Sequence, residues 1–192
     1  MTNLAYGLDY VERYETIEGV KNIMAPSAVS EHFFIDTNLV VVFGNYCRRN
    51  KCGVVFGDID VHLPDGNNVF RPDVMIIRDR NIIKSGGAVY GTPDLVVEIL
   101  SPSTAKNDMG VKKDAYEKNG VKEYWIVNHV DKSVQVYHLI DGKFNLDYVY
   151  HVYTDQELEM LEESERSEIK NDIKVSIFDD LIVDVADVFY DI

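Results

Sequence analysis

The sequence holds no apolar run of the roughly 20 residues needed to cross a bilayer. Its opening, MTNLAYGLDYVERYE, carries acids and has no apolar signal core, so no secretory leader and a cytoplasmic location are expected. Cysteine is scarce. Cys47 and Cys52 are the only two, too few for a disulfide framework, and one C-x4-C without a second ligand pair is a poor zinc site. They read as reduced structural thiols. Basic residues are outnumbered, 19 against 33 acids, for a net charge of −14. A polyanion is bound best by a basic surface, so this balance speaks against simple nucleic-acid binding. A local basic group or a metal ion remains able to receive a phosphate. The acids are densest in DQELEMLEESERSE, 155 to 168, which reads as a solvated helix face. No internal repeat or low-complexity linker is visible.

What is present suits one domain of 192 residues with a real core: 46% hydrophobic and 11% aromatic residues exclude general disorder. ERYETIEGV, 12 to 20, reads as a short helix or turn before a strand around Val20 to Met24. Ser27 or Ser30 then caps a long helix with apolar residues at near-helical spacing from Phe33 to Tyr46 and a basic end at Arg48, Arg49 and Lys51. VVFGDIDVHL and VFRPDVMIIR flank a PDGNN turn and predict a hairpin. DRNIIKSGGAVYGT reads as a loop. A buried strand at 94 to 100, a helix from about Ala105 to Asn119 stopped by Gly120, and strands in EYWIVNH, SVQVYHL and KFNLDYVYHVY follow. The tail KVSIFDDLIVDVADVF is apolar enough to pack back on the core. The order predicts a mixed α/β domain with one central sheet.

Chemistry concentrates in PDLVVEILSPS, 93 to 103. Leu95, Val96, Val97, Ile99 and Leu100 make a strand covered on both faces, yet Asp94 and Glu98 interrupt it. Side chains alternate along a strand, so both carboxylates point to one face. Asp73 enters the preceding strand of RPDVMII, and strands adjacent in sequence tend to pair. Three carboxylates converging inside a fold need a divalent cation, a lysine or protons to neutralise them. Oxygen donors alone suit Mg²⁺ or Mn²⁺. In the following helix Lys112 and Tyr116, four apart, share a face that can reach the carboxylates, and Asp108 falls on the same side. A bland reading stands beside each: Asp73 and Asp94 as strand-start caps after proline, Lys112 as an exposed helix lysine. Glu98, in mid-strand between apolar neighbours, is the hardest to explain that way.

RYETIEG, MAPSAVSEH, RPDVMII, PDLVVEILSPST, the K-x3-Y helix and GVKEYWIV, in that order, resemble the Uma2 family, also called DUF820, from about Tyr10 to the end. The resemblance implies a restriction-endonuclease-like PD-(D/E)xK fold: an α+β core of α-β-β-β-α-β order, a central mixed sheet flanked by helices, with additional C-terminal strands. It implies Pro72–Asp73 as the proline–aspartate motif and Glu98 as its acidic partner. The lysine expected two residues after that acid is replaced by Leu100; Lys112 matches the variants that carry it on the next helix. Asp94 belongs to the family's PDLVVE block, and Glu15 resembles a helical glutamate that often completes such sites.

The preferred expectation is a Mg²⁺- or Mn²⁺-dependent DNA nuclease, with Asp73, Asp94 and Glu98 on metal, Lys112 assisting water or phosphate, and Glu15 a further participant. Two alternatives stand beside it: a catalytically silent binding module whose carboxylates Lys112 and protons neutralise, and a hydrolase of a small phosphorylated substrate. Family analogy and the apolar tail from Lys174 suggest a homodimer. Arg71 is a candidate phosphate contact, and His32 could face the site. Trp125 and Tyr124 read as core.

Overall fold

A computed structural model describes residues 13–23 and 30–192. Residues ahead of Arg13, and Met24 and Ser27, for which a strand end and a helix cap are predicted, lie outside them. The first element differs from expectation. Tyr14–Ile17 (β1) and Val20–Ile23 (β2) pair as an antiparallel hairpin, not a helix. Glu18 and Gly19 join them with φ of 50° and 80°. Two successive positive φ values make a turn whose twist matches the flanking strands, which favours a hairpin over a helix here.

Helix α1 (Ser30–Asn50) buries Ile35, Leu39, Phe43 and Cys47, one residue per turn along a single stripe, and ends on Arg48 and Arg49. After it, the predicted single hairpin is divided between two sheets. Val54–Phe56 (β3) pairs antiparallel with Val74–Ile77 (β6), while Val61–His62 (β4) pairs with Val69–Phe70 (β5). Asp58, at φ 54°, turns the chain between β3 and β4, and Pro72, with no N–H to give a ladder, separates β5 from β6. The predicted loop contains a further strand, Val89–Tyr90 (β7), parallel to β4.

Leu95–Ile99 (β8) is central. It pairs antiparallel with β6, Val97 opposite Val74, and parallel with Glu123–Asn128 (β9). Between β8 and β9 the chain passes through Ala105–Asn107 (α2), a π-helical turn over Asp108–Lys112, and Lys113–Lys118 (α3). Ser133–Ile140 (β10) and Lys143–His151 (β11) extend the sheet, joined by Asp141–Gly142 at positive φ. The six-stranded sheet runs β11-β10-β9-β8-β6-β3; a five-stranded one carries β2-β1-β5-β4-β7. The predicted acidic helix is two short ones, Asp155–Met160 (α4) and Glu163–Glu168 (α5), each begun by its own capping box and separated by extended Leu161 and Glu162. Asp172–Lys174 (β12), Ile182–Asp184 (β13) and Val185–Val188 (α6) close the chain.

The six-stranded sheet is covered on both faces, which explains why β8 is apolar without alternation. One face packs against α1 and the C-terminal segment through Leu95, Val97, Trp125, Ile173, Val183 and Val188. The other packs against α3 and the five-stranded sheet through Val96, Tyr116, Tyr124, Phe70 and Val61. The mixed α+β class, the flanked mixed sheet and the extra C-terminal strands follow expectation. The apolar tail is taken up within its own chain. No helix among the described residues is long and apolar enough to span a membrane.

Candidate functional site

Glu98 is the only charged residue of β8, and it points into the layer of α3 and the five-stranded sheet. Its side chain is 3% exposed. Ser101 turns the chain after β8: its carbonyl accepts from Thr104 and Ala105 and its hydroxyl lies 2.9 Å from Thr104 Oγ1. The helical segment is thereby aimed back over the strand. Within it, Gly110 takes φ −118° and ψ −105°, and the turn widens to π geometry. π turns are rare and gather at functional sites. Asp108 and Lys112, four residues apart across this turn, lie side by side and both are buried.

Lys112 stands among three carboxylates. Its Nζ is 2.8 Å from Glu98 Oε1, 3.1 Å from Glu15 Oε1 and 3.1 Å from Asp108 Oδ1. The Asp108 contact is an ion pair without hydrogen-bond geometry. The Tyr116 hydroxyl donates to Glu98 Oε1 at 2.7 Å, and Tyr124 donates to the Asp108 carbonyl at 2.9 Å. Glu15 reaches the cluster from β1, where its Oε1 also accepts from the Arg71 N–H at 2.8 Å.

One ammonium cannot balance three buried carboxylates. Burial alone pushes the Lys112 ammonium down, but Glu98, Asp108 and Glu15 more than reverse this and hold it well above the ordinary lysine value. Burial pushes Glu98 well above the ordinary carboxylate range against the pull of Lys112, with Asp108, Asp73 and Glu15 adding repulsion. Asp108 is raised by burial in the same way. The cluster therefore keeps a charged lysine and draws protons to the carboxyls that the lysine leaves unbalanced.

Asp73 stands at the mouth, where β6 begins. Its Oδ2 accepts from the Ile99 N–H at 2.7 Å, one residue beyond Glu98, and its Oδ1 lies 3.2 Å from His32 Nε2. Its side chain is 24% exposed, against 4% for Lys112. Gly57 lets the chain after β3 pass close to the backbone of Asp73, since a Cβ there would lie 1.6 Å from the Asp73 carbonyl oxygen. Burial and the Asp73 charge raise Asp36, one turn beyond His32 on α1, to about 6. His32 is pulled down by burial, but its hydrogen bond to Asp73 and the charges of Asp73 and Asp36 leave it above the ordinary value.

Asp73, Glu98, Lys112 and Glu15 are thus brought together; Asp94 is not. It precedes β8, where Oδ1 takes Lys122 Nζ at 2.6 Å and Oδ2 the Arg78 N–H at 2.9 Å. Four strand residues span roughly 13 Å, so a common face does not put it beside Glu98. Arg71 turns its guanidinium to Asp58 and Asp60, at 3.2 and 2.8 Å, and serves the site through its backbone. Trp125 and Tyr124 are fully buried core residues. Two acids not among the expected site residues stand here as well: Asp36, whose sequence signal is its i+4 spacing from His32, and Asp108, four residues before Lys112.

Among the described residues no three histidine, cysteine or acidic side chains converge into a ready metal cage. The donor set nonetheless fits a hard divalent cation. It is all oxygen, it exceeds the positive charge of Lys112, and Asp73 lies at an accessible mouth within electrostatic reach of Glu98. Mg²⁺ commonly takes one or two protein carboxylates and completes its shell with water and substrate phosphate.

Comparison with known proteins bears on the family and the fold. The model of Uma2, described as "putative restriction endonuclease", matches residues 8–174. An uncharacterized protein of Synechocystis sp. (strain ATCC 27184 / PCC 6803 / Kazusa) is 29% identical over 131 residues, 68% of either chain. The crystal structure of a "putative nuclease belonging to DUF820" from Anabaena variabilis ATCC 29413 superposes with a TM-score of 0.63 over 92% of this chain and 89% of the other, at 19% identity. That last likeness concerns the fold.

Proposed function

The chain belongs to the Uma2 family, and from this and the geometry above we propose that it is a divalent-metal-dependent nuclease hydrolysing phosphodiester bonds in DNA. The observation that carries the proposal is the meeting of Asp73, Glu98 and Lys112, from two paired strands and the helical segment after them, at one partly open point. Asp73 and Glu98 would hold Mg²⁺ or Mn²⁺. When bound, such a cation lowers the pKa of a water and offsets charge on the phosphate. Tyr116 and Lys112 fix the Glu98 carboxylate, and Lys112 keeps a permanent positive charge beside the reacting group. Glu15 ties that ammonium to the backbone of Arg71, two residues before Asp73.

A silent module is favoured by one observation, the engagement of Lys112 by three carboxylates at once. Calorimetric titration of Mn²⁺ into metal-stripped protein separates the two. The nuclease reading expects saturable binding by the wild type that Asp73→Ala and Glu98→Ala lose. Absence of binding to the wild type would favour the silent module.

A further inference from the structure

Helix α1 lies against the mouth of the site and lends it His32. The Asp73 carboxylate is met from two different elements: the Ile99 N–H donates to Oδ2 at 2.7 Å, and His32 Nε2 lies in ion-pair contact with Oδ1 at 3.2 Å. A carboxylate accepts only, so Nε2 carries the proton of that contact. Two donors, one on each oxygen, fix the plane of the carboxylate as one alone would not. Each oxygen keeps a second lone pair for another partner.

We infer that His32 is a positioning residue, holding Asp73 Oδ1 in the orientation from which Asp73 binds the divalent cation. This rests on the nuclease reading. The bland alternative is a tether joining the start of α1 to the start of β6. That helix is already anchored by Ile35, Leu39, Phe43 and Cys47, at most 2% exposed. One hydrogen bond adds little to such packing, whereas groups that orient ligating carboxylates set how well a metal is held. The His32 side chain, 14% exposed, stands between solvent and core beside the most open carboxylate of the site. A tether alone has no need to fix that oxygen.

The test titrates Mn²⁺ into metal-stripped wild type, His32→Phe and His32→Gln, with thermal melting of each. His32→Phe keeps the ring and loses the donor; His32→Gln restores a donor of similar reach. The expected result is a 10- to 100-fold weaker Mn²⁺ affinity for His32→Phe, recovery to within about threefold for His32→Gln, and near-equal melting temperatures. Should His32→Phe not fold, His32→Leu takes its place. Wild-type affinity in His32→Phe, or equal loss in both variants, would overturn the inference while leaving the nuclease reading in place if Glu98→Ala loses binding. A wild type that takes up no Mn²⁺ would overturn both.

Discussion

Replacing Lys112 with Met removes the ammonium from among Glu15, Glu98 and Asp108 while keeping most of the stem that packs beneath it. The side chains left behind are 10%, 3% and 2% exposed. Removing one partner of a buried ion pair costs roughly 3–5 kcal/mol, because a charge is left buried and unbalanced. For a domain of this size that is a fall of roughly 10 °C in melting temperature. The cost must depend on pH. Glu98 and Asp108 are already raised by burial, and without Lys112 they rise further. A folded state that holds protons the unfolded chain releases loses stability as pH climbs from the ordinary carboxylate value toward the raised one. Lys112 itself, raised in the wild type, stays charged through this whole range, since its contribution fades only above the ordinary lysine value. The gap between variant and wild type should therefore be about 1–2 kcal/mol near pH 5 and reach its full size near pH 8. Urea denaturation followed by circular dichroism at pH 5, 6, 7 and 8 measures it. A gap that does not widen with pH, or one below about 1 kcal/mol at pH 8, would refute the reasoning.

Three other substitutions probe the same arrangement. Glu98→Gln keeps acceptors for Tyr116 and Lys112 without the charge, so cleavage should vanish while stability stays within about 1 kcal/mol near pH 6, and its stability relative to wild type should rise with pH; denaturation and a cleavage assay read both. Asp94→Asn loses an ion pair whose lysine is 59% exposed, so less than about 1 kcal/mol and no cleavage should be lost; a dead enzyme would return Asp94 to the reaction. Gly57→Ala forces a methyl group into the Asp73 carbonyl and should destabilise by about 3 kcal/mol with loss of metal affinity, whereas an unaffected variant would mean that β3 and β6 can separate there freely.

Much of this site was legible because buried charge stands out against apolar sequence. Glu98 interrupts a run that has no other reason to hold a carboxylate, and the four-residue spacing of Lys112 and Tyr116 aims both at it. Asp108 falls on the Lys112 side by the same four-residue spacing, but no periodicity announces its burial or the widening of the helix at Gly110. Glu15 was found by family likeness but expected on a helix; the turn at Glu18–Gly19 makes it a strand residue facing inward. Asp94 shows the limit of parity, which tells which way a side chain points and not how far along the strand it lies. The six-stranded sheet was largely readable from its apolar runs, while the five-stranded sheet was not. Its strands β4, β5 and β7 are two residues long, too short for any alternation to register.

The central claim is tested most directly by incubating metal-stripped protein with circular single-stranded and duplex DNA, with and without Mn²⁺, beside Glu98→Gln and Lys112→Met. The expected result is strand cleavage by the wild type that needs added Mn²⁺, stops with EDTA, and is lost in both variants. Cleavage that survives in Glu98→Gln, or a wild type that binds Mn²⁺ and leaves both forms of DNA intact, would contradict it.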